Sequence, residues 1–200
     1  KALCHPEVEI EAIGVWDTVK SLGINAPLLW RLSHPRHAFH NHDLSLIVRN
    51  GFQALALNEN RVAYAPVMWT TPEGYEGRLE QVWFTGTHGD VGGQLSGHEV
   101  TRPLSNIPFV WLMARLEECG LPLPTAWAHR FPQDPTAPST GQWHGNGRLL
   151  VSRRRRVVGA DPSERVHESV AARAAAASRP GLLARVQGAI AERGQSRSEG

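Results

Sequence analysis

Polar side chains follow two apolar segments of the sequence at positions where they could share one catalytic site. Asp17 ends the segment 14–17, and His88 lies in the glycine-rich stretch 85–93 that follows the apolar residues 82–84. A core segment has no need of an imidazole, and a surface loop has no need of a tryptophan and a phenylalanine. We therefore interpret each segment as a strand that carries a polar side chain to the end of a sheet, where catalytic groups collect.

An acid followed later in the chain by a histidine is typical of α/β-hydrolases, whose triads run in the order Ser, Asp, His. Asp17 would orient the imidazole of His88, and His88 would deprotonate a hydroxyl nucleophile. Each residue also has a structural interpretation, as a turn cap for Asp17 and as a hydrogen-bonded loop residue for His88. His167 is a second candidate for the general base, and its structural interpretation is a histidine at the start of a helix.

Asp90 allows three interpretations. It could take the place of Asp17 beside His88. It could also bind a divalent metal together with His88, because imidazole and carboxylate ligands suit several such ions, although further ligands would be needed. We favour the third interpretation, in which its carboxylate bonds to the loop backbone while Gly92 and Gly93 shape the same loop. We predict no metal and no cofactor.

The sequence contains no recognisable nucleophile elbow. No serine has a glycine both two residues before and two residues after it, which is the pattern of a sharp strand-to-helix turn. For a serine mechanism, we therefore expect the nucleophile to precede Lys1.

Hydrophobic periodicity predicts alternating strands and helices. Residues 7–16 and 79–84 are predicted strands, and residues 44–57, 104–119, 166–177 and 182–191 are predicted helices. This alternation favours an α/β fold with a largely parallel sheet and flanking helices. Because so few strands would leave apolar edges exposed, we expect N-terminal strands to be missing. We predict a partial domain over residues 1–177 and a basic, flexible tail over residues 178–200.

Charge is unevenly distributed along the 200 residues. Residues 1–147 hold 10 basic and 14 acidic side chains, whereas residues 148–200 hold 11 and 5, with four consecutive arginines at 153–156. Such a run could bind an anionic membrane surface, or it could simply be solvated. No nucleic-acid-binding motif accompanies it, so we expect no nucleic-acid partner. The two cysteines form no CxxC pair, which excludes a zinc ribbon and a disulfide framework.

Five segments, in order, resemble the motifs of one family. Residues 14–23 resemble a GVWDTV-S-G motif, and residues 53–61 resemble a HALALDE-R motif. Residues 83–93 resemble WF-G-H-DVGGG, residues 104–113 resemble LSDIPL-WM, and residues 165–170 resemble a late I/V-H-x-S-V motif. The family is the uncharacterised α/β-hydrolase domain family that includes the type VI secretion phospholipase effectors of the first lipase class. Two positions depart from it: Asn58 replaces an aspartate, and Gln94 replaces a glycine.

The resemblance implies an α/β-hydrolase fold with Asp17 as triad acid and His88 as triad base. It also implies a nucleophilic serine in a Gly-Phe-Ser-Arg-Gly-type elbow that precedes the GVWDTV motif, so this chain would be the C-terminal portion of the sheet. The implied substrate is a phospholipid ester. We further expect a secretion-system component as a partner, a cytoplasmic location in the producing bacterium, and secretion by a route without a signal peptide.

Our first hypothesis is a serine-type, phospholipase-like ester hydrolase that is incomplete here. One alternative is a non-catalytic or decayed hydrolase fragment that binds a partner or an anionic surface through residues 148–200. The other alternative is a metal-dependent hydrolase that uses His88 and Asp90.

Overall fold

A computed structural model describes residues 8–19, 44–143 and 150–177 of the chain, and within them lies a sheet of four parallel strands. The strands are β1 (Ile10–Trp16), β2 (Val48–Ala56), β3 (Arg78–Phe84) and β4 (Glu164–Val166). They lie side by side in sequence order, so all four carboxyl ends meet at one edge of the sheet. The predicted strands are confirmed as β1, which begins at Ile10 where residues 7–16 were expected, and as β3, which begins one residue before the expected 79–84. The α/β class with a parallel sheet is confirmed as well.

Three α-helices accompany the sheet in the described residues. They are α1 (His88–Gly92), α2 (Arg102–Glu118) and α3 (Glu168–Ala176). The predicted helix 104–119 is confirmed as α2, which begins two residues earlier. Thr101 occupies the N-cap position of α2, and Ser105 is buried within the helix.

The helix predicted over residues 44–57 is wrong, because this segment forms β2. Residues 51–56 are all buried, and β2 pairs with β1 on one side and with β3 on the other. A parallel strand buried on both faces loses the polar–apolar alternation by which a strand is recognised. A short apolar run cannot be assigned from its periodicity alone, and here its apolar residues happen to have helical spacing.

The core lies between one face of the sheet and α2. Its buried members are Phe52, Ala54, Ala56, Val82, Phe84, Val91, Leu104, Ile107, Trp111, Leu112 and Ala137. The residues from β2 and β3 have even numbers, because alternate side chains of a strand point to the same face. The helix α2 therefore covers this face of the sheet, and Val91 of α1 packs into the same core.

The opposite face carries buried glutamines that bind a neighbouring extended segment. Gln53 Nε2 donates to the carbonyl oxygen of Val67 at 2.9 Å. Gln81 exchanges two hydrogen bonds of 2.9 Å with the main chain of Trp69. Buried amides need such partners, so this face is covered by main chain that contacts polar side chains.

Two earlier expectations, the predicted helix 182–191 and the predicted tail 178–200, lie outside the described residues. Among the described residues, no helix is long and apolar enough to cross a membrane.

Candidate active site

Asp17 and His88 meet at the edge formed by the carboxyl ends of the strands. Asp17 directly follows β1, and His88 is the first residue of α1, four residues after the end of β3. The Oδ2 atom of Asp17 lies 2.8 Å from the Nδ1 atom of His88. The structure thus brings together the two residues that the sequence predicted as acid and base, although their roles remain predictions.

The backbone of Asp17 turns its carboxylate across the end of β2. Its φ is 43°, in the left-handed region, which aspartate tolerates better than most residues. Its amide donates to the carbonyl oxygen of Ala54 at 2.7 Å, and its Oδ1 atom accepts from the amide of Ala56 at 2.9 Å. The side chain is completely buried, so every lone pair of the carboxylate depends on a protein partner.

Arg156 is a second side-chain partner of Asp17, and sequence reasoning missed it. Its guanidinium contacts both carboxylate oxygens, with Nη1 on Oδ1 and Nη2 on Oδ2 at 2.9 Å. Burial alone raises the pKa of the Asp17 carboxyl, but the hydrogen bonds from His88 and Arg156 and the charge of Arg156 outweigh it and hold the pKa below its usual value of 3.8. The carboxylate is therefore ionised at neutral pH.

Aromatic and charged residues from the β2–β3 connection hold His88 from the other side. The ring of Tyr64 stacks on the imidazole with 4.8 Å between centroids, and the guanidinium of Arg61 lies 4.3 Å from the ring centre of Tyr64. Glu59 is buried, binds Arg61, and accepts a hydrogen bond of 3.2 Å from the amide of His88. This stack was also missed: Glu59 and Arg61 belong to the segment 53–61 that resembles a family motif, but the resemblance gave neither of them a role, and Tyr64 lies outside that segment.

The free side of the imidazole is its Nε2 atom. With Nδ1 occupied by Asp17, no group in the part of the chain that the structure describes makes a hydrogen bond to Nε2. The His88 side chain remains 27% exposed, whereas the Asp17 side chain is not exposed at all. One ring nitrogen is thus held by a buried carboxylate, and the other is available to a reacting group.

Asp90 holds the loop together and does not contact His88 through its side chain. Its Oδ2 atom accepts from the amide and hydroxyl of Thr87 at 2.8 and 3.0 Å and from the hydroxyl of Ser139 at 2.5 Å, and its Oδ1 atom accepts from the amide of Thr140 at 2.8 Å. With Thr87 it forms the capping box of α1. The geometry agrees with the favoured interpretation of Asp90 as a loop-shaping residue.

The donor set of the metal alternative is not assembled around this pair. Across residues 8–19, 44–143 and 150–177, no three histidine, cysteine, aspartate or glutamate side chains are arranged to hold a metal ion. The carboxylate oxygens of Asp90 are occupied by four hydrogen bonds, and the Nδ1 atom of His88 is occupied by Asp17.

More than half of the chain matches one known protein family. The family model described as T6SS, phospholipase effector Tle1-like, catalytic domain matches residues 1–115, which is more than half of the sequence. The chain belongs to this family. No curated protein and no solved structure matches it significantly. The family resemblance read from the motifs is thereby confirmed.

The region that matches the Tle1-like family contains some of the site residues and not others. It contains Asp17, His88, Asp90 and the Glu59–Arg61 pair, all of which precede residue 115. Arg156 follows the matched region, as does His167. The family match therefore includes the predicted acid and base, whereas the contact of Arg156 with Asp17 is known from the structure alone.

The two glycines predicted to support the site differ in what they require. Gly93 has a φ of 78° and ends α1 in the left-handed conformation, which a side chain would strain. At Gly92 an added Cβ would meet no atom within 4 Å, so the position has room for a side chain. Gly86, which was not predicted, has a φ of 127° and would place a Cβ only 2.7 Å from that of Asp90.

His167, the second candidate for the general base, lies in a different setting. It is the N-cap of α3, where its Nδ1 atom accepts from the amide of Ser169 at 3.2 Å, and its ring stacks on Phe84 at 4.6 Å. Burial lowers its pKa, which keeps the imidazole neutral near pH 7. No hydrogen bond in the described residues joins it to Asp17 or His88, so the structure favours the helix-start interpretation.

Proposed function

We propose that this chain is the acid–base part of a serine-type ester hydrolase that acts on phospholipids. In this proposal Asp17 is the triad acid and His88 is the general base. The nucleophilic serine comes from a segment that precedes residue 1, and the chain forms the C-terminal portion of an α/β-hydrolase sheet. The contact between Asp17 and His88 at the carboxyl ends of two parallel strands is the observation that carries the proposal.

The geometry supports a defined proton path. The Nδ1–H of His88 donates to Asp17, which leaves the lone pair on Nε2 free to accept the serine proton as the serine oxygen attacks the ester carbonyl. The imidazolium is stabilised by the ionised Asp17 and then gives this proton to the departing alcohol. A water molecule attacks the acyl-enzyme with the same base, which releases the fatty acid and restores the serine.

A cavity with an apolar wall is lined by residues of β1 and α1, the elements that adjoin Asp17 and contain His88. Its volume is about 520 Å³, and its apolar wall includes Trp16, Val91, Phe109 and Phe131. Trp16 immediately precedes Asp17, and Val91 belongs to the helix that begins with His88. Arg130, which is exposed, also lines the cavity. We propose that the apolar wall takes an acyl chain and that the guanidinium attracts the phosphate.

A substitution at Gly92 tests the cavity. Gly92 lines it, and an added Cβ would meet open space, so Gly92→Phe should fill the cavity without displacing α1. If the ring excludes about four methylene groups of an acyl chain, it costs about 3 kcal/mol of binding, or roughly 100-fold in kcat/KM for a long-chain ester. The measurement is kcat/KM for a series of esters whose acyl chains range from acetyl to palmitoyl. Gly92→Ala is the matched control. An equal loss for acetyl and long-chain esters would contradict this assignment.

Covalent labelling tests the serine mechanism directly. The longest reading frame that contains this sequence would be expressed, and the protein would be incubated with a fluorophosphonate probe and with phospholipid vesicles. We expect fatty acid release and a labelled serine in a Gly-x-Ser-x-Gly segment that precedes residue 1. Hydrolysis that persists without labelling and stops on chelation would instead favour the metal-dependent alternative.

The alternative of a non-catalytic module that binds an anionic surface remains a prediction. Two members of the arginine run have internal partners, because Arg156 grips Asp17 and Arg153 lies over the ring of Trp143 at 4.6 Å. Arg154 and Arg155 are exposed. The run therefore offers fewer free charges to a membrane surface than its sequence indicates. Export from the cytoplasm without a signal peptide is likewise kept as a proposal.

A further inference from the structure

The four consecutive arginines at 153–156 differ in their surroundings, and only Arg156 enters the site. The side chain of Arg156 is 4% exposed. Besides both oxygens of Asp17, it donates to the carbonyl oxygens of Ala56 at 2.8 Å and Tyr64 at 2.6 Å. All of these acceptors lie at the carboxyl ends of β1 and β2 or in the connection that follows β2. Both terminal nitrogens of the guanidinium therefore donate hydrogen bonds inside the protein.

A short antiparallel bridge places this arginine. Arg61 pairs with Arg153 in this bridge. The amide of Val62 donates to the carbonyl oxygen of Ser152 at 3.1 Å, and the amide of Arg154 donates to the carbonyl oxygen of Asn60 at 2.7 Å. The segment 152–154 is thereby fixed against the same connection that carries Glu59 and Tyr64. Two residues further on, Arg156 reaches Asp17, so that its Nη2 atom and the Nδ1 atom of His88 both bind Oδ2.

Two properties of the contact matter for an acid that orients a histidine. A guanidinium that binds both oxygens of a carboxylate sets the plane of the carboxylate, which a point charge such as lysine does not. A completely buried carboxylate without a counter-charge would bind a proton, because burial disfavours the charged form. The charged and titratable groups that face Asp17 are Arg156 and His88, with the Glu59–Arg61 pair and Tyr64 beyond the imidazole.

We infer that Arg156 is a positioning residue, which keeps Asp17 ionised and directs its Oδ2 atom at the Nδ1 atom of His88. This inference rests on the proposed function, since positioning matters only if the pair acts as acid and base. Arg156 acts through Asp17 and not on the substrate.

The first test reads the carboxyl group itself and needs no activity. The chain would carry a ¹³C-labelled aspartate carboxyl, and the Asp17 resonance would be followed from acidic to neutral pH in wild type, Arg156→Gln, Arg156→Lys and Arg155→Gln. Arg155 is an exposed neighbour and serves as the matched control. We expect Arg156→Gln to move the Asp17 midpoint upward by about 1–3 pH units, Arg156→Lys to move it less, and Arg155→Gln to leave it in place.

The second test reads catalysis in the longer reading frame. We expect Arg156→Gln to lower kcat and to shift the acid limb of its pH profile upward, because loss of the guanidinium charge favours the protonated form of the Asp17–His88 pair. Arg155→Gln should leave the profile unchanged. If Arg156→Gln fails to fold, Arg156→Lys keeps the charge and supplies both readouts. An unmoved Asp17 midpoint, or a uniform loss of kcat with an unmoved acid limb, would overturn the inference and leave Arg156 a purely structural residue. A shifted midpoint in a protein whose wild type hydrolyses no ester would overturn the proposed function instead.

Discussion

Replacing His88 with alanine is expected to lower kcat for ester hydrolysis by about 10²–10⁴-fold, which is the usual contribution of a general base. The imidazole would no longer accept the serine proton at Nε2, and Asp17 is too deeply buried to replace it. The fold should persist, because the side chain of His88 is partly exposed and the loop is held by Asp90 and the backbone of Thr87. The substitution therefore removes the chemistry and leaves the scaffold.

The measurement is phospholipid hydrolysis by the longest reading frame, with thermal unfolding recorded in parallel. His167→Ala is the informative comparison, since it removes the other candidate base. That variant should lose about 1 kcal/mol of stability through the lost N-cap of α3 and should keep its kcat. Normal turnover by His88→Ala, together with a dead His167→Ala, would exchange the two assignments.

Replacing Asp17 with asparagine is expected to reduce kcat by about 10⁴-fold, because the amide neither fixes the required tautomer of His88 nor stabilises the imidazolium. Asparagine is the appropriate substitution for two reasons. It tolerates the left-handed φ of 43°, and it can still accept the hydrogen bond from the amide of Ala56. The effect on kcat would thus reflect the lost charge and not a distorted strand end.

The same substitution should also destabilise the domain, because Arg156 would be left buried without its counter-charge. Breaking one side of a buried pair costs about 3 kcal/mol. The cost should depend on pH in a defined direction. Because the pKa of Asp17 is depressed in the folded state, its contribution is complete above the unfolded value, near 3.8, and is lost as the pH falls through the lower folded value.

Urea unfolding of wild type and Asp17→Asn should therefore show a stability difference at neutral pH that disappears in strong acid. The double variant Asp17→Asn with Arg156→Gln is the control, and it should be more stable than the sum of the single effects predicts. A stability difference that is the same at all pH values would show that the charge of Asp17 contributes nothing to folding.

The strands that deliver Asp17 and His88 could be read from local sequence. Each has a short apolar segment that ends in polar residues, and the carboxyl ends of parallel strands meet at one edge. The intervening strand β2 could not be read in this way. It is buried on both faces, so the pattern that separates a strand from a helix is absent from residues 48–56.

The role of Asp90 was also accessible, because Thr87 and Asp90 have the spacing of a capping box and lie among glycines. The difference between Gly92 and Gly93 was not. Both were expected to shape the loop, yet only Gly93 needs a positive φ, and this depends on where α1 ends. Local spacing identifies the loop, but the packing around each position decides which glycine is required.

The sequence by itself determined the family, the α/β class and the two residues that meet at the edge of the sheet. These depend on periodicity and on motifs whose members lie within ten residues or so of each other. Only the tertiary structure decided that Arg156 is the partner of Asp17, at a separation of 139 residues, and that Tyr64 and Glu59 hold the other side of His88. An arginine in a basic run has the same local signature whether it is solvated or buried. The partner of such an arginine is determined by how the chain packs, so it cannot be inferred from the residues that neighbour the arginine in sequence.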